Sequence, residues 1–222
     1  MEMLETTPSA LLEDILDEGS TGKEIAEAVA ERAEELRELQ DTVATQLQDV
    51  LGQEPHGAVL PELMEQIETL EAQGETIGDI VGDKQTDDLE DGTAGIAYQG
   101  QEGSSVIDVG AAIGVDGTID EEMLRDGVDH EGEHEKQSAE WNADVVDIGN
   151  GQTLTRHEVS ETGAMSVQQS IDWVSGDYKR IYGKVTWLIS AEEAKEVARS
   201  GDLLGLGQKI RSKDTASTTL AA

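Results

Sequence analysis

The chain has 222 residues, and its 15 Lys and Arg stand against 49 Asp and Glu, a formal charge of −34. That excess excludes sequence-independent nucleic-acid binding, which needs clustered cations to displace counterions, and it argues equally against docking on anionic lipid. With no cysteine, disulfide scaffolds and thiolate metal sites are ruled out, no apolar run approaches the ~20 residues of a membrane span, and Met1 to Ser20 lacks the basic-then-apolar pattern of a signal peptide.

Leu, Ile, Val and Phe number 49, enough for a modest core in one or two domains. Thr7-Pro8 opens a short helix with Leu11, Leu12, Ile15 and Leu16 on one stripe and Gly19 at its end. Thr21 and Glu24 then form a T-x-x-E capping box, and no Gly or Pro interrupts the chain until Gly52. Val29, Leu36, Val43 and Val50 recur every seven residues, with Ile25 and Leu39 offset between them, while Arg32 and Gln46 break the pattern. Such spacing marks a coiled-coil-like seam for oligomerisation or intrachain packing. Pro55 and Gly57 make a turn, and Pro61 starts a second helix carrying Leu63, Ile67, Leu70, Ile77 and Val81. A short connection between long helices predicts an antiparallel hairpin.

Residues 83–95 are acidic and poorly patterned and read as a linker. Beyond it, Ile96–Tyr98, Val106–Val109 and Ile113–Val115 suggest short strands, and a second T-x-x-E box at Thr118 and Glu121 predicts a helix to about Trp141, weakened by Gly127 and Gly132. Val145–Ile148, a Gly149-Asn150-Gly151 turn and Thr153–Val159 predict a hairpin. Val167, Ile171 and Trp173 then share the face of a strand, and Ile181, Val185, Trp187 and Ile189 alternate with Arg180, Lys184 and Thr186 as in another. Ser190 and Glu193 cap a helix that ends at Gly201. The expected class is α+β: an N-terminal long-helix hairpin or coiled-coil-like bundle, then a mainly antiparallel β domain with a C-terminal helix. Its expected parts are a helical oligomerisation or packing region over 1–82, the linker over 83–95, an α+β domain over 96–212 and a flexible tail over 213–222.

One motif offers chemistry, His130-Glu131-Gly132-Glu133-His134. It satisfies H-E-x-x-H and resembles the zincin metallopeptidase helix. The resemblance implies zinc held by His130 and His134 one helical turn apart, with Glu131 as general base. A third ligand would come from downstream, where Glu140, His157, Glu158 and Glu161 are available. The charged Glu133, Glu135 and Lys136 and the mid-helix Gly132 point instead to a solvated acidic helix with two exposed histidines and no catalytic residue or cofactor. No G-x-x-x-x-G-K, G-x-G-x-x-G or G-x-S-x-G pattern occurs, so neither nucleotide nor small-molecule substrate is indicated.

The charge is uneven: residues 1–170 carry −35 and the last 52 carry +1. The acidic excess, few lysines and absence of Phe make the composition similar to that of proteins from extreme halophiles, in which salt screens self-repulsion. The expectation is therefore a non-enzymatic assembly protein of halophilic origin, in a haloarchaeal virus particle as a capsid-associated, connector or tail component, or in the cytoplasm of a high-salt host. Its partners would be copies of itself and other subunits, met through a sheet bearing Trp173, Arg180, Ile181, Lys184, Val185 and Trp187. The alternatives are an H-E-x-x-H zinc hydrolase and an acidic cytoplasmic adaptor.

Overall fold

The computed structural model describes residues 12, 15–16, 19–51, 59–89, 93–114, 117–171 and 174–220, with backbone alone for 47–51, 59–60, 62 and 214–220. The expected helix from Thr7, the turn at Pro55 and Gly57, and Trp173 lie largely or wholly outside these residues. Two compact units emerge, 1–94 with 106–124 and 95–105 with 125–222, and the class is α+β.

In the first unit, helix α1 (Gly22–Leu51) starts at the expected box. The Glu24 amide donates to Thr21 Oγ1 at 3.2 Å, and the Thr21 amide donates to Glu24 Oε2 at 2.7 Å. Helix α2 (Val59–Val81) runs back along α1. Ile25, Val29 and Ala33 on α1 and Ile67, Leu70 and Ile77 on α2 are buried. Gly74 lets the backbones close in, because a Cβ there would lie 2.6 Å from Val29 Cγ1. Farther along, Arg37 forks onto the Glu71 carboxylate.

The seven-residue seam thus holds at only one end. The buried stripe steps 25–29–33, Leu36 is half-buried, and Leu39 and Val43 are 57% and 40% exposed. A straight helix of 3.6 residues per turn drifts off a seven-residue repeat by about 20° per heptad, and here nothing supercoils it back. The Val50 side chain is outside the described set.

The expected linker contains strand β1 (Gln85–Thr86), paired in parallel with β3 (Val106–Ile107). Thr86 is buried because its amide donates to Ser20 O at 2.7 Å and its carbonyl accepts from Gly19 N at 2.9 Å. Helix α3 (Glu121–His134) is capped by Asp120, not Thr118: the Met123 amide donates to Asp120 Oδ1 at 3.0 Å. It ends at His134, short of the expected Trp141.

The second unit begins with the short β2 (Gly95–Ile96) and contains α3 from Arg125 onward. Strands β4 (Val145–Gly149) and β5 (Gln152–Thr155) form the expected antiparallel hairpin, with Asn150 and Gly151 both at positive φ. The second strand stops at Thr155, however, and residues 156–159 of the expected strand are helical, because Thr155 caps a helix there. Four helices follow: α4 (Arg156–Met165), α5 (Gly176–Leu188), α6 (Ala191–Ser200) and α7 (Leu203–Leu220). The core joins Val146, Ile148 and Leu154 of the hairpin to Val159, Val185, Ala194, Leu203, Leu206 and Ile210.

Two expected strands are therefore not strands. Val167 and Ile171 lie in turn and coil. Arg180, Ile181, Lys184, Val185 and Trp187 are on helix α5, capped by Ser175, so the expected interface sheet does not form. Ile181 and Val185 are four apart, a spacing that keeps one face in a helix as well as in a strand. The periods part at Trp187, which is 88% exposed while Val185 is buried. Among the described residues the antiparallel β4–β5 sheet has no strands beyond the hairpin. The expected tail continues α7 to Leu220, since no Gly or Pro interrupts it.

Candidate metal centre

The last two turns of α3 carry His130, Glu131, Glu133 and His134, and an i, i+4 spacing sets both imidazoles on one face. Opposite lies α4, started by a capping box at Thr155 and Glu158, whose second turn presents Ser160 and Glu161. His130 Nε2 lies 3.3 Å from Glu161 Oε2, His134 Nε2 lies 3.5 Å from Glu161 Oε1, and the two Nε2 atoms are 3.1 Å apart. The two imidazole nitrogens face different oxygens of the Glu161 carboxylate, and with one ligand atom taken from each residue the three lie within 4.8 Å of one another, near enough to gather round one ion. Two imidazole nitrogens and a carboxylate this close need a proton or a cation among them.

The expected solvated helix is exposed at Glu121, Glu122, Arg125 and Asp129 but buried where the motif ends it. Glu131, Glu133, His134 and Glu161 are all buried. Glu133, whose charge argued against a dry site, is neutralised by Arg199 of α6, which donates from Nε and from a terminal guanidinium nitrogen at 2.7 Å each. That pairing raises the Arg199 pKa. The carboxylate of Glu131 lies 4.0 Å from His130 Nε2, beside the ligands but not among them.

Of the four downstream candidates, Glu161 joins the cluster and the others do not. Glu140 is exposed. Glu158 is occupied by its cap and by Lys184. His157 stands one turn before Glu161 with Nδ1 at 3.5 Å from Oε1, at the exposed rim.

The electrostatics match a cation site. Burial works against the Glu161 carboxylate, yet its bonds to His130 and His134 hold it far below the usual range. Burial likewise disfavours a charged His134, but Glu161 and Gln137 raise its pKa overall. The Tyr178 phenol is pushed up, first by burial and then by the carboxylates of Glu161 and Glu131, so it stays a protonated donor.

Sequence reasoning did not anticipate Gln137, Ser160, Gln99, Arg199 or Tyr178. For α4 a signal existed: Thr155-Arg156-His157-Glu158 is a T-x-x-E box like the two that were legible. For Gln99, 38 residues from Gln137, and Arg199, 66 residues from Glu133, no local pattern exists. Among the described residues no helix is long and apolar enough to cross a membrane. Comparison with family models, with curated proteins and with solved structures finds no match.

Proposed function

We propose that the second unit is a zinc-dependent hydrolase acting on an amide or ester carbonyl. The observation that carries this reading is the convergence of His130 Nε2 and His134 Nε2, 3.1 Å apart, on the two oxygens of one buried carboxylate, Glu161 Oε2 at 3.3 Å and Oε1 at 3.5 Å. Bound zinc supplies a Lewis acid and a water acidified to near neutrality. His130, His134 and Glu161 would hold the ion. Glu131, beside but outside that set, would take the proton from the attacking water and return it to the leaving group. Tyr178, kept protonated first by burial and then by the Glu161 and Glu131 carboxylates, would donate a hydrogen bond to the oxygen that gains charge.

The test begins with elemental analysis of protein purified from zinc-supplemented medium. One zinc per chain is expected, lost in His130→Ala. Glu131→Gln should keep its zinc and hydrolyse fluorogenic casein in 3 M KCl at least 10²-fold more slowly than wild type. Zinc-free wild-type protein sinks the reading.

A second reading, an assembly subunit from a high-salt organism, is favoured by the exposed apolar pair Leu39 and Val43 on α1 and by the charge of −34. Under it, light scattering in 3 M KCl gives a mass above one chain, and dialysis to 0.1 M unfolds the protein. A monomer over a wide concentration range counts against it.

A further inference from the structure

The two histidines of the centre are not held alike. Among the described residues His130 Nδ1 is buried without a hydrogen-bond partner, whereas His134 Nδ1 lies 3.0 Å from Gln137 Oε1. Gln137 is itself buried, just beyond the end of α3. Its orientation has one solution. Gln137 Nε2 donates to the Ser160 carbonyl at 2.8 Å, and a carbonyl can only accept, so Oε1 must be the atom that faces His134. The same Oε1 accepts from the Ser160 hydroxyl at 2.6 Å and from Gln99 Nε2 at 3.1 Å, and Gln99 also donates to Ser160 Oγ at 2.6 Å. His134 Nδ1 faces Gln137 Oε1 at 3.0 Å and the Ser160 hydroxyl at 3.4 Å; because that hydroxyl gives its one proton to Oε1 at 2.6 Å, the N–H of the pair belongs on Nδ1.

Resting on the zinc reading above, we infer that Gln137 is a positioning residue of the centre: locked by Ser160 and Gln99, its amide oxygen keeps the His134 proton on Nδ1 and turns the Nε2 lone pair toward the metal. Ligating imidazoles commonly donate their second N–H to such an acceptor, which fixes the tautomer and the ring plane, and losing that partner typically costs 10–100-fold in metal affinity. The device spans three segments, because the acceptor follows α3, its lock Ser160 adjoins the third ligand Glu161 on α4, and Gln99 comes from the stretch after β2. Its role is to pre-form one ligand, leaving His130 to adjust as the ion enters.

Titration with zinc chloride and long-range ¹⁵N–¹H correlation of the histidine rings test this together. In metal-free wild type with neutral rings, His134 is expected as the Nδ1–H tautomer, and in the zinc-loaded protein as Nε2-bound with Nδ1 still protonated. Gln137→Leu should bind zinc 10–100-fold more weakly, and Gln137→Glu, which keeps an acceptor opposite Nδ1, should recover most of that loss. An Nε2–H tautomer in wild type, or Gln137→Leu binding zinc within twofold of wild type, overturns the assignment while leaving the zinc centre intact. Wild type that takes up no zinc defeats the centre and this assignment with it. The wild-type spectra decide the matter even if Gln137→Leu fails to fold.

Discussion

Helices α1 and α2 pack along their length, whereas the end of α3 meets α4 and α6 through polar side chains. In the hairpin, Ile25, Val29, Leu70 and Ile77 are buried and Gly74 lets the backbones approach, so apolar packing accounts for the buried part of the contact and the Arg37–Glu71 pair stands at its half-exposed edge. Where α3 meets α4 and α6, the buried groups are Glu131, Glu133, His134, Gln137, Ser160 and Glu161. Burying such groups costs free energy unless each is bonded, and apolar residues of similar volume would hold the helices at least as firmly. Stability explains the first contact and does not explain the second. Expensive polar burial gathered at one end of one helix is the pattern expected of a functional site.

That contrast can be broken by substitution, and the largest effect is expected at the polar contact. Arg199→Leu leaves the fully buried Glu133 carboxylate to Lys136, 3.7 Å away, and should lower stability by about 3 kcal/mol in denaturant unfolding, since stranding one partner of a buried pair typically costs about 3–5. Gly74→Val comes next. Its Cβ would collide with Val29, and overpacking should cost about 1–3 kcal/mol despite the better helix propensity of Val. An unchanged urea midpoint would mean that the hairpin is not close-packed there.

A smaller effect should appear with pH. The Lys209 ammonium, together with the Ser190 cap, pulls the Glu193 carboxyl down to about 2 from an ordinary 4.5. Because the folded value is the lower one, the stabilisation is complete above about 4.5 and fades as pH falls toward 2. Wild type should therefore melt above Lys209→Met at pH 6, and the gap should close by pH 2; a gap that persists contradicts the pairing. Least is expected of Leu39→Gln, at an exposed position of the hairpin, which should shift stability by less than about 0.5 kcal/mol. If the assembly reading holds, the same variant lowers the mass seen by light scattering.

Much of this was legible in local chemistry. The boxes Thr21/Glu24 and Ser190/Glu193 and the turn at Asn150-Gly151 satisfy backbone groups within a few residues, so they work wherever the chain folds. The H-E-x-x-H spacing was equally plain, but its surroundings misled. Glu133 reads as a solvated charge until Arg199 is brought against it. Helix α5 was mistaken for a strand because Ile181 and Val185 suit both periods. The box at Thr155 was hidden within a run that continues the alternation of β5.

The sequence by itself determined the antiparallel hairpin, the β4–β5 turn and a pair of histidines one turn apart, because each depends on neighbours along the chain. Tertiary structure alone decided that Glu161 rather than Glu140, His157 or Glu158 comes against His130 and His134, that Glu133 is buried, and that Gln137 Oε1 faces His134 Nδ1. Those outcomes depend on groups 23 to 66 residues apart, whose burial and bonding exist only once the helices that carry them have packed.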